Sequence, residues 1–407
     1  MAANEIAKIS QKNIDVIIVD HHLPDHLKPS AFTIIHSLQF SGSILTWILA
    51  KEFDPKADLG LAILGLISDC LPLTGLNRHF VVFGLKSLQQ HPCLGIQKLI
   101  QISSTQQSTL SVYDLGFLIG PRLNAIGRLS SPADALKLLT TADPLEASKL
   151  AQSLNRYNQD RQSLQQESLF LAEKLIDISL PLLFAADKSF NPGIIGLIAS
   201  NLTEKHYRPS VIISLGPEIS KGSCRSIREL NIIETLRRHS DLFLDLGGHP
   251  AAAGFSIETK LVPKLEKLLT KTISQKLSLL DLSPSIEVDA QMQLSAAKII
   301  NYQAIQKLQP FGIGNLEPLF LFKNVAISQK RLVGSTGNHL KLRLDDPVTP
   351  RHENISTEAI AFKKGQLDGQ LKVGDKVDIV ARLDLNTLNN HSTPQLIVKE
   401  IIPHLQV

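Results

Sequence analysis

The sequence is poor in cysteine, and this excludes several classes of protein. Its three cysteines, Cys70, Cys93 and Cys224, lie far apart among 407 residues and have no paired spacing. A disulfide framework or a zinc knuckle needs closely or regularly spaced cysteines, so both are disfavoured. Unpaired cysteines are typical of a reducing compartment, and we therefore expect a cytoplasmic protein.

Long hydrophobic runs are also absent. The most apolar segment, residues 59–73, contains Asp69 and is shorter than the ~18–20 residues that a membrane helix needs. The amino terminus, MAANEIAKIS, has a glutamate where a signal peptide would carry its apolar segment. The sequence therefore predicts neither a membrane anchor nor a targeting signal.

Aromatic side chains are scarce, and the charge balance is nearly even. With one tryptophan and four tyrosines, the chain offers few platforms on which bases could stack. A net charge of +4 favours anionic partners only weakly, so any basic surface must be local. The densest positive stretch indicates either a phosphate track or a solvated helix face, and it consists of Lys221, Arg225, Arg228, Arg237 and Arg238.

The length and the apolar pattern predict an α/β protein of two to four domains. Residues 1–145 alternate apolar with amphipathic segments, as parallel α/β sheets do. Continuous apolar segments at 14–19 and 59–67 favour doubly buried strands. Helices are predicted at 3–11, 43–53 and 78–90.

Residues 146–178 contain no glycine or proline, and their apolar residues recur with near-heptad spacing. This predicts one long helix, which at ~1.5 Å per residue would span roughly 45 Å. It could connect two domains, and the alternative is an ordinary packed helix. The following segment resumes α/β character, with strands at 182–185 and 210–214 and a helix at 192–206.

The carboxy-terminal third is rich in strand signals. Short alternating segments separated by turn residues occur at 319–332, 339–344, 358–362, 376–384 and 395–402. Five strands in ~120 residues are typical of a small barrel. The domain boundaries that we predict are 1–145, 146–180 for the connecting helix, 181–282 and 283–407.

The sharpest chemical signal is the triplet Asp20, His21 and His22, which directly follows the first predicted strand. Ligands of open α/β sheets gather at the carboxyl ends of strands, and Asp69 ends the second apolar segment in the same way. Mixed imidazole and carboxylate ligands suit manganese better than magnesium, and two such ions can promote phosphodiester hydrolysis. In the alternative interpretation, the histidines begin a loop and Asp69 caps a helix.

The segment GPRLNAIGR could bind phosphate. Arg122, Asn124 and Arg128 follow a Gly-Pro turn, and a non-helical backbone there would point guanidinium groups at phosphate oxygens. The alternative is a helix terminus with solvated arginines.

Two glycine-containing segments, GSCRS and LGGHPAAAGF, are further candidates. Small residues would let the backbone approach an anion closely, although such glycines also occur in ordinary turns. The candidate ligand-binding residues there are Arg225, Ser226, Gly247, Gly248 and His249.

Seven segments, in order, resemble the RecJ single-strand-specific exonucleases of the DHH phosphoesterase superfamily, and the resemblance covers nearly the whole chain. They are VIIVDHHLP, LGLISDCLPLTGLNR, GPRLNAIGRL, FNPGIIGLIAS, KGSCRSI, LGGHPAAAGF and LQPFGIGNLEPLF. The resemblance implies an incomplete DHH parallel-sheet domain, a connecting helix, a DHH-associated α/β domain and a carboxy-terminal OB-fold β-barrel. It also implies two manganese or magnesium ions and 5′-to-3′ degradation of single-stranded DNA during repair and recombination.

The resemblance further implies roles for single residues. His21 and Asp69 match ligands of one metal ion, His22 matches a contact to the scissile phosphate or the second ion, and Asp20 orients the cluster. The candidate phosphate-binding residues named above match contacts to the substrate, although Cys224 stands where a glycine is usual. A single-strand binding protein or a helicase is a partner that the family suggests.

The family pattern also places an aspartate-rich motif and a metal-bridging aspartate before the DHH triplet, and this sequence has neither. The remaining ion would keep about two protein ligands, whereas metal sites usually have three or more. We therefore interpret the chain as amino-terminally truncated and expect it to cleave poorly by itself, although Asp15 or Asp25 could substitute in principle. Two other interpretations stay open: a non-catalytic single-stranded nucleic-acid-binding protein, and one half of a split exonuclease whose missing strands come from a separate chain.

Overall fold

The computed structural model of this chain divides into two compact units. One unit comprises residues 1–86 and 286–407, and the other comprises residues 87–285. The residues that the structure describes are 3–22, 29–129, 131–278, 282, 285–334, 336–346, 355–388 and 391–403. Within these ranges, no helix combines the length and the hydropathy needed to cross a membrane.

The first unit begins with a small parallel sheet and its helices. Strand β1 (Ile17–Asp20) pairs in parallel with β2 (Thr33–His36), so that Asp20 lies opposite His36 at the carboxyl ends of both strands. Each of the three predicted helices of this region is present, and α4 begins before its predicted start. The helices are α1 (Ala3–Ser10), α2 (Gly42–Phe53), α3 (Leu59–Ser68) and α4 (Gly75–Gln90).

The second apolar segment forms helix α3, so the strand that we predicted at 59–67 is wrong. The N-cap of the helix is Asp58, whose carboxylate accepts a hydrogen bond from the Gly60 N–H at 2.7 Å. Gly65 lets α3 approach α2 closely, because a Cβ atom at Gly65 would lie 2.3 Å from Ser43 Oγ. A continuous apolar run does not distinguish a buried strand from a buried helix, and here the N-cap and the close helix contact favour the helix.

The first predicted strand is present, but the expectation that it is buried on both faces is wrong. Ile14 and Ile17 are 54% and 56% exposed, and Phe32, just before β2, is 72% exposed. Among the described residues, β1 pairs with β2 alone. The apolar composition of a central strand therefore occurs here in a strand with one neighbour, which leaves apolar side chains in contact with solvent.

The carboxy-terminal part of the first unit is the small barrel that the sequence predicts. It closes because β9 pairs with both β10 and β12, while β11 pairs in parallel with β13. Alternate side chains of these strands, such as Phe322, Ile379 and Leu396, are fully buried in its core. The elements are β8 (Ala290–Gln291), α12 (Ile299–Gln306), β9 (Phe320–Val333), β10 (His339–Asp345), β11 (Ser356–Ala361), β12 (Lys376–Leu388) and β13 (His391–Pro403).

The second unit starts with helices and contains the predicted long helix. Helix α8 has 32 residues, and its N-cap Asp143 accepts a hydrogen bond from the Leu145 N–H at 2.9 Å. It packs first against the three helices that precede it, and then against the first strand and first helix of the sheet that follows it. The helices before the sheet are α5 (Leu94–Ile102), α6 (Gly120–Leu129), α7 (Ala133–Thr140) and α8 (Pro144–Leu175).

A five-stranded sheet completes the second unit, with strand order β3-β4-β5-β7-β6 and one parallel pair, β3 with β4. Alternation along β4 supplies two cores: Val211 and Ile213 pack with α11, whereas Ile212 packs with α9. Helices therefore cover both faces of this sheet. The elements are β3 (Leu183–Asp187), α9 (Ile195–His206), β4 (Ser210–Ser214), β5 (Ile219–Arg225), α10 (Ile232–Arg237), β6 (Phe243–His249), β7 (Ala252–Glu258) and α11 (Val262–Leu277).

Candidate functional site

His21 and Asp69 lie side by side, although they follow elements of different kinds. His21 is the first residue after β1, and Asp69 is the C-cap of α3. The Nε2 atom of His21 lies 3.5 Å from Oδ2 of Asp69. This separation exceeds an ordinary hydrogen bond. Two ligands that each bind one ion at ~2.0–2.2 Å lie roughly 3.0–3.5 Å apart, so this His21–Asp69 pair has the spacing of neighbouring ligands of one ion.

Asp20 organises the turn that presents the two histidines. Its Oδ1 accepts hydrogen bonds from the His21 N–H at 2.7 Å, from the His22 N–H at 3.2 Å and from His22 Nδ1 at 2.7 Å. Burial acts to raise the pKa of Asp20, but the hydrogen bonds from His22 and His21 outweigh it, so the pKa lies below its usual value. An ionised Asp20 thus fixes the His22 ring, whose side chain remains 76% exposed.

His36, which we did not single out in the sequence, also holds this turn. Its Nε2 donates a hydrogen bond to the His22 carbonyl oxygen at 2.8 Å. A signal was available, because His36 ends an apolar strand as Asp20 does, and the two residues lie opposite each other in the parallel pair. What was missing was the prediction of β2 itself.

The His21–Asp69 pair is a partial ligand set. In the part of the chain that the structure describes, no three His, Cys, Asp or Glu side chains converge closely enough to hold a metal ion. Asp15 therefore does not complete the set, and Asp25 lies outside the described residues. An imidazole with a carboxylate fits a divalent ion as two of its ligands, whereas metal sites usually bring three or more from the protein.

The backbone after Asp69 is held by the segment LQPFGIGN of the same unit. The Leu73 N–H donates a hydrogen bond to the Ile313 carbonyl oxygen at 2.6 Å. Arg78 Nη2 donates to the Gln309 carbonyl oxygen, also at 2.6 Å. Two motifs that are far apart in sequence therefore lie against each other, and the later one supports the loop that begins at Asp69.

Arg128 and Arg225, which we call the arginine site, lie at the amino-terminal part of α9, Arg128 against the residues just before the helix and Arg225 against the helix itself. Arg128 Nη1 donates a hydrogen bond to the Gly193 carbonyl oxygen at 3.0 Å. Arg225 Nε donates to Ser200 Oγ at 3.0 Å, and its Nη2 lies 3.1 Å from the position that a Cβ atom of Gly196 would take. The absence of a side chain at Gly196 therefore makes room for the guanidinium group.

The arginine site is electropositive, because no counter-ion lies beside it within the described part of the chain. Burial lowers the pKa of Arg225; neighbouring Cys224 opposes this effect, and the positive charge of Arg128 adds to it. Among the described residues, no carboxylate lies within ion-pair distance of Arg128 or Arg225. The amino-terminal end of α9 adds partial positive charge, so this site can bind an anion through arginine forks.

The segment GPRLNAIGR forms α6, so the non-helical backbone that we considered there is wrong. The preceding turn, Asp114–Ile119, is a π-helix, and its wider winding accommodates the proline at position 121. Arg122 Nε donates to Asn155 Oδ1 at 2.9 Å, so part of this guanidinium group joins α6 to α8. Asn124 is exposed on the same helix.

The glycines of GSCRS and LGGHPAAAGF serve different purposes. Gly222 makes room for an aromatic ring, since a Cβ atom there would lie 2.1 Å from Phe255 Cζ. Gly248 has a φ of +151°, and a Cβ atom would lie 2.4 Å from the Ala252 carbonyl oxygen. At Gly247 a Cβ atom would meet no described atom within 4 Å, so among the described residues this backbone is open to an approaching ligand.

Ser226 and His249 differ in what they can offer a ligand. The Ser226 hydroxyl donates to the Leu230 carbonyl oxygen at 2.7 Å, and the Ser226 N–H donates to the Ala251 carbonyl oxygen at 2.9 Å. Both donors of Ser226 are therefore used inside the protein. His249 ends β6 and its side chain is exposed.

Ser223 and Ser200 contact the arginine site, and we did not single them out in the sequence. Ser223 Oγ accepts a hydrogen bond from Arg225 Nη1 at 3.2 Å, whereas Ser200 Oγ accepts one from Arg225 Nε. Both serines belong to segments that carry the family resemblance, GSCRS and FNPGIIGLIAS. The sequence does not place the two segments together, because their contact depends on how α9 packs across β5.

Comparisons with known proteins agree with this architecture. The DHHA1 domain family matches residues 179–278, and the RecJ OB domain family matches residues 288–400. Two solved structures of RecJ from Thermus thermophilus, in complex with Mn2+ and with Mg2+, superpose with TM-scores of 0.85 and 0.79. Both are 27% identical to this chain, of which they match 98% and 96%, and in each case the match spans 60% of the Thermus chain.

A curated relative adds the sequence evidence. The single-stranded-DNA-specific exonuclease RecJ of Bacillus subtilis is 31% identical over 418 residues, which cover 98% of this chain and 52% of that protein. The chain thus spans about half the length of this relative. The single-stranded-DNA-specific exonuclease RecJ of Salmonella typhimurium is 30% identical over 438 residues, which cover 98% of this chain and 75% of that protein. The expected DHH-associated and OB-fold domains are confirmed, and the chain belongs to the family of RecJ single-stranded-DNA-specific exonucleases.

Proposed function

We propose that this chain contributes to metal-dependent hydrolysis of single-stranded DNA, with 5′-to-3′ polarity, in DNA repair and recombination. The observation that carries the proposal is the 3.5 Å separation of His21 Nε2 and Asp69 Oδ2 within a chain of the RecJ family. Relatives crystallised with Mn2+ and with Mg2+ support a divalent ion as the cofactor. A single-strand binding protein or a helicase is a candidate partner.

Each candidate site residue of the first unit has a distinct role in this proposal. His21 and Asp69 would hold a manganese or magnesium ion, which would polarise a phosphate oxygen and lower the pKa of a bound water molecule. Asp20 keeps the turn in place through its three hydrogen bonds. The exposed His22 ring, with Nδ1 already bonded to Asp20, has Nε2 available to the scissile phosphate or a second ion.

The second unit would bind the DNA strand. Arg128 and Arg225 would contact phosphate oxygens, and the open backbone at Gly247, with the exposed His249 beside it, would contact the strand from β6. Contacts of this kind depend on charge and not on base identity, which accords with the few aromatic side chains in the sequence.

A second candidate function is single-stranded DNA binding without catalysis. Two observations on the described residues favour it: the ligand set of the His21–Asp69 pair is partial, and no carboxylate pairs with the arginine site. The chain also contains a closed barrel. Two protein ligands hold a divalent ion weakly against water. The 407-residue chain by itself should therefore cleave poorly, unless a separate polypeptide supplies further ligands.

One assay separates these functions. Oligonucleotides labelled at the 5′ or the 3′ end are incubated with the chain over a range of Mn2+ concentrations, with EDTA as the blank. Nuclease function predicts slow, Mn2+-dependent release of nucleotides from the 5′ end, abolished in His21→Ala and retained in His91→Ala, which removes an exposed histidine of the second unit.

The outcomes of this assay have different meanings. Binding without cleavage at any Mn2+ concentration would favour the non-catalytic candidate. Cleavage that persists in His21→Ala would contradict the proposed metal pair. A chain that neither binds nor cleaves single-stranded DNA would contradict both functions.

A further inference from the structure

The buried face of the long helix α8 is polar in its middle. Its inward residues repeat at alternating spacings of four and three, which is the heptad pattern of a packed helix. At both ends of the series these residues are small or apolar, but the middle is asparagine, arginine, glutamine and serine. The series is Ala147, Ala151, Leu154, Asn158, Arg161, Gln165, Ser168 and Ala172, of which Arg161 is half-buried, Gln165 is partly exposed and the others are buried.

Arg161 is held in place by its own helix. Its Nη2 donates a hydrogen bond to Asn158 Oδ1 at 3.1 Å, and its Nη1 donates to Gln165 Oε1 at 3.2 Å. Both acceptors are neutral, and the Nε atom is buried without a hydrogen-bond partner in the described ranges of the chain. The guanidinium group is therefore fixed in direction while its charge is not neutralised.

A purely structural arginine at such a position would be expected to pair with a carboxylate. None lies within ion-pair distance of Arg161 among the described residues. The charge that does act on Arg161 is positive. Burial lowers the pKa of Arg161, and the charge of Arg128 lowers it further, as it also does for Arg225.

Helix α6, which carries Arg128 near its end, packs against α8, and the charge of Arg128 acts on both Arg161 and Arg225. Arg128 also donates a hydrogen bond to the carbonyl oxygen of Gly193, just before α9. Three guanidinium groups and a helix amino terminus, all of positive sign, occur together in the second unit. Like charges repel, and the free energy that this costs is recovered when an anion binds between them. Phosphate oxygens match the fork of an arginine side chain.

We propose that Arg161 binds a backbone phosphate of single-stranded DNA together with the arginine site, and that Asn158 and Gln165 are positioning residues that aim its guanidinium group. This inference rests on the proposed function, to which it adds a residue of the long helix. It also explains why the buried face of α8 is polar in its middle. Asn158 and Gln165 orient a charged group toward a ligand and do not form part of an apolar core.

The test is a salt titration of DNA binding. Affinity of the chain for a fluorescent oligothymidylate is measured by anisotropy in EDTA, at several salt concentrations, for wild type, Arg161→Gln, Arg161→Lys and Arg156→Gln. Arg156 is the matched control, because it is an exposed arginine of the same helix that does not belong to its buried face. Thermal unfolding monitored by circular dichroism shows that each variant is folded.

We expect Arg161→Gln to bind about tenfold more weakly, with a logarithmic salt slope smaller by about 0.7, the value for one phosphate contact on a single strand. Arg161→Lys keeps the charge and loses the fork, so its salt slope should match wild type while its affinity falls a few-fold. Arg156→Gln should change the affinity less than about twofold.

Two outcomes overturn the inference in different ways. If wild type binds the oligonucleotide and Arg161→Gln has the same affinity and salt slope as Arg156→Gln, the role of Arg161 is overturned while the proposed function stands. A wild-type chain that does not bind single-stranded DNA contradicts the proposed function, and the inference with it. If Arg161→Gln fails to fold, Arg161→Lys decides, because an affinity equal to wild type would contradict a forked phosphate contact.

Discussion

The His21–Asp69 pair and the arginine site differ in how completely this chain builds them. The pair supplies two candidate metal ligands, and the Asp69 side chain is 42% exposed. No third ligand joins them in the described residues. In the arginine site, by contrast, Arg225 is fixed by hydrogen bonds to Ser200, Ser223 and the Cys224 carbonyl oxygen. Preorganised groups bind without a further ordering cost, so DNA binding should depend less than metal binding on anything outside this chain.

The largest expected difference between the two regions is in thiol reactivity. Cys70, next to Asp69, is exposed, whereas Cys224, next to Arg225, is fully buried. Burial raises the pKa of Cys224 to about 12. In variants that keep one cysteine each, we expect Cys70 to react with a thiol reagent at least about 1000-fold faster, since Cys224 reacts only after local unfolding. Comparable rates would contradict a rigid arginine site.

Alkaline pH gives a second test of the same buried thiol. Because the folded pKa of about 12 is raised above the usual value of 9.0, the stability contribution of the neutral thiol is complete below pH 9 and is lost as the pH rises toward 12. Between about pH 9 and pH 10, wild type should lose about 1 kcal/mol more unfolding free energy than Cys224→Ala. Urea unfolding at both pH values measures this difference, and equal losses would contradict the prediction.

Removal of one arginine should separate DNA binding from metal binding. We expect Arg225→Ala to weaken binding of single-stranded DNA by about 100-fold, the effect of losing a charged, half-buried hydrogen-bonding group. Binding of Mn2+, measured by electron paramagnetic resonance, should not change, because Arg225 belongs to the second unit and the His21–Asp69 pair to the first. If both affinities fell together, the two regions would not be independent.

Two adjacent glycines give a matched pair for the second unit. Gly248→Ala should cost about 1–3 kcal/mol of unfolding free energy, because its φ of +151° and the nearby Ala252 carbonyl oxygen both oppose a side chain. Gly247→Ala should leave stability unchanged, since its Cβ atom would meet no neighbour, and should weaken DNA binding if a strand approaches that backbone. Equal unfolding free energies of the two variants would contradict the different roles assigned to Gly247 and Gly248.

A modest effect is expected at the turn that presents His21. Asp20→Asn keeps the size of the side chain but loses the negative charge that accepts three hydrogen bonds. We expect about tenfold weaker binding of Mn2+, as is typical when a residue that orients a metal ligand is changed. Asp15→Asn, an exposed carboxylate before β1, is the control and should have no effect.

The sequence predicted most elements of the fold, and its errors have physical causes. The absence of glycine and proline together with near-heptad periodicity predicted α8, and alternation predicted the barrel strands, because these signals are local. Residues 59–67 were wrongly predicted as a strand, since a run without polar residues carries no period. The sequence nevertheless anticipated that His21 and Asp69 lie close together. Asp69 was expected at the end of a strand, and the end of helix α3 places it at the same point.

The candidate site was harder to predict where it depends on packing between distant segments. Motifs indicated Arg128 and Arg225 one by one, but not that both lie against α9. Arg161 lies in no recognisable motif, and only the burial of its face of α8 distinguishes it from Arg156 on the same helix. Gly222 was interpreted as giving access to an anion, whereas its missing side chain accommodates the ring of Phe255.

The most direct test of the difference between the two regions is a pair of titrations of the 407-residue chain. Single-stranded DNA is titrated in EDTA, and Mn2+ is titrated without DNA. Our account predicts DNA binding at about micromolar concentration without metal and Mn2+ binding no tighter than about millimolar. Micromolar Mn2+ binding by a chain that fails to bind DNA in EDTA would contradict it.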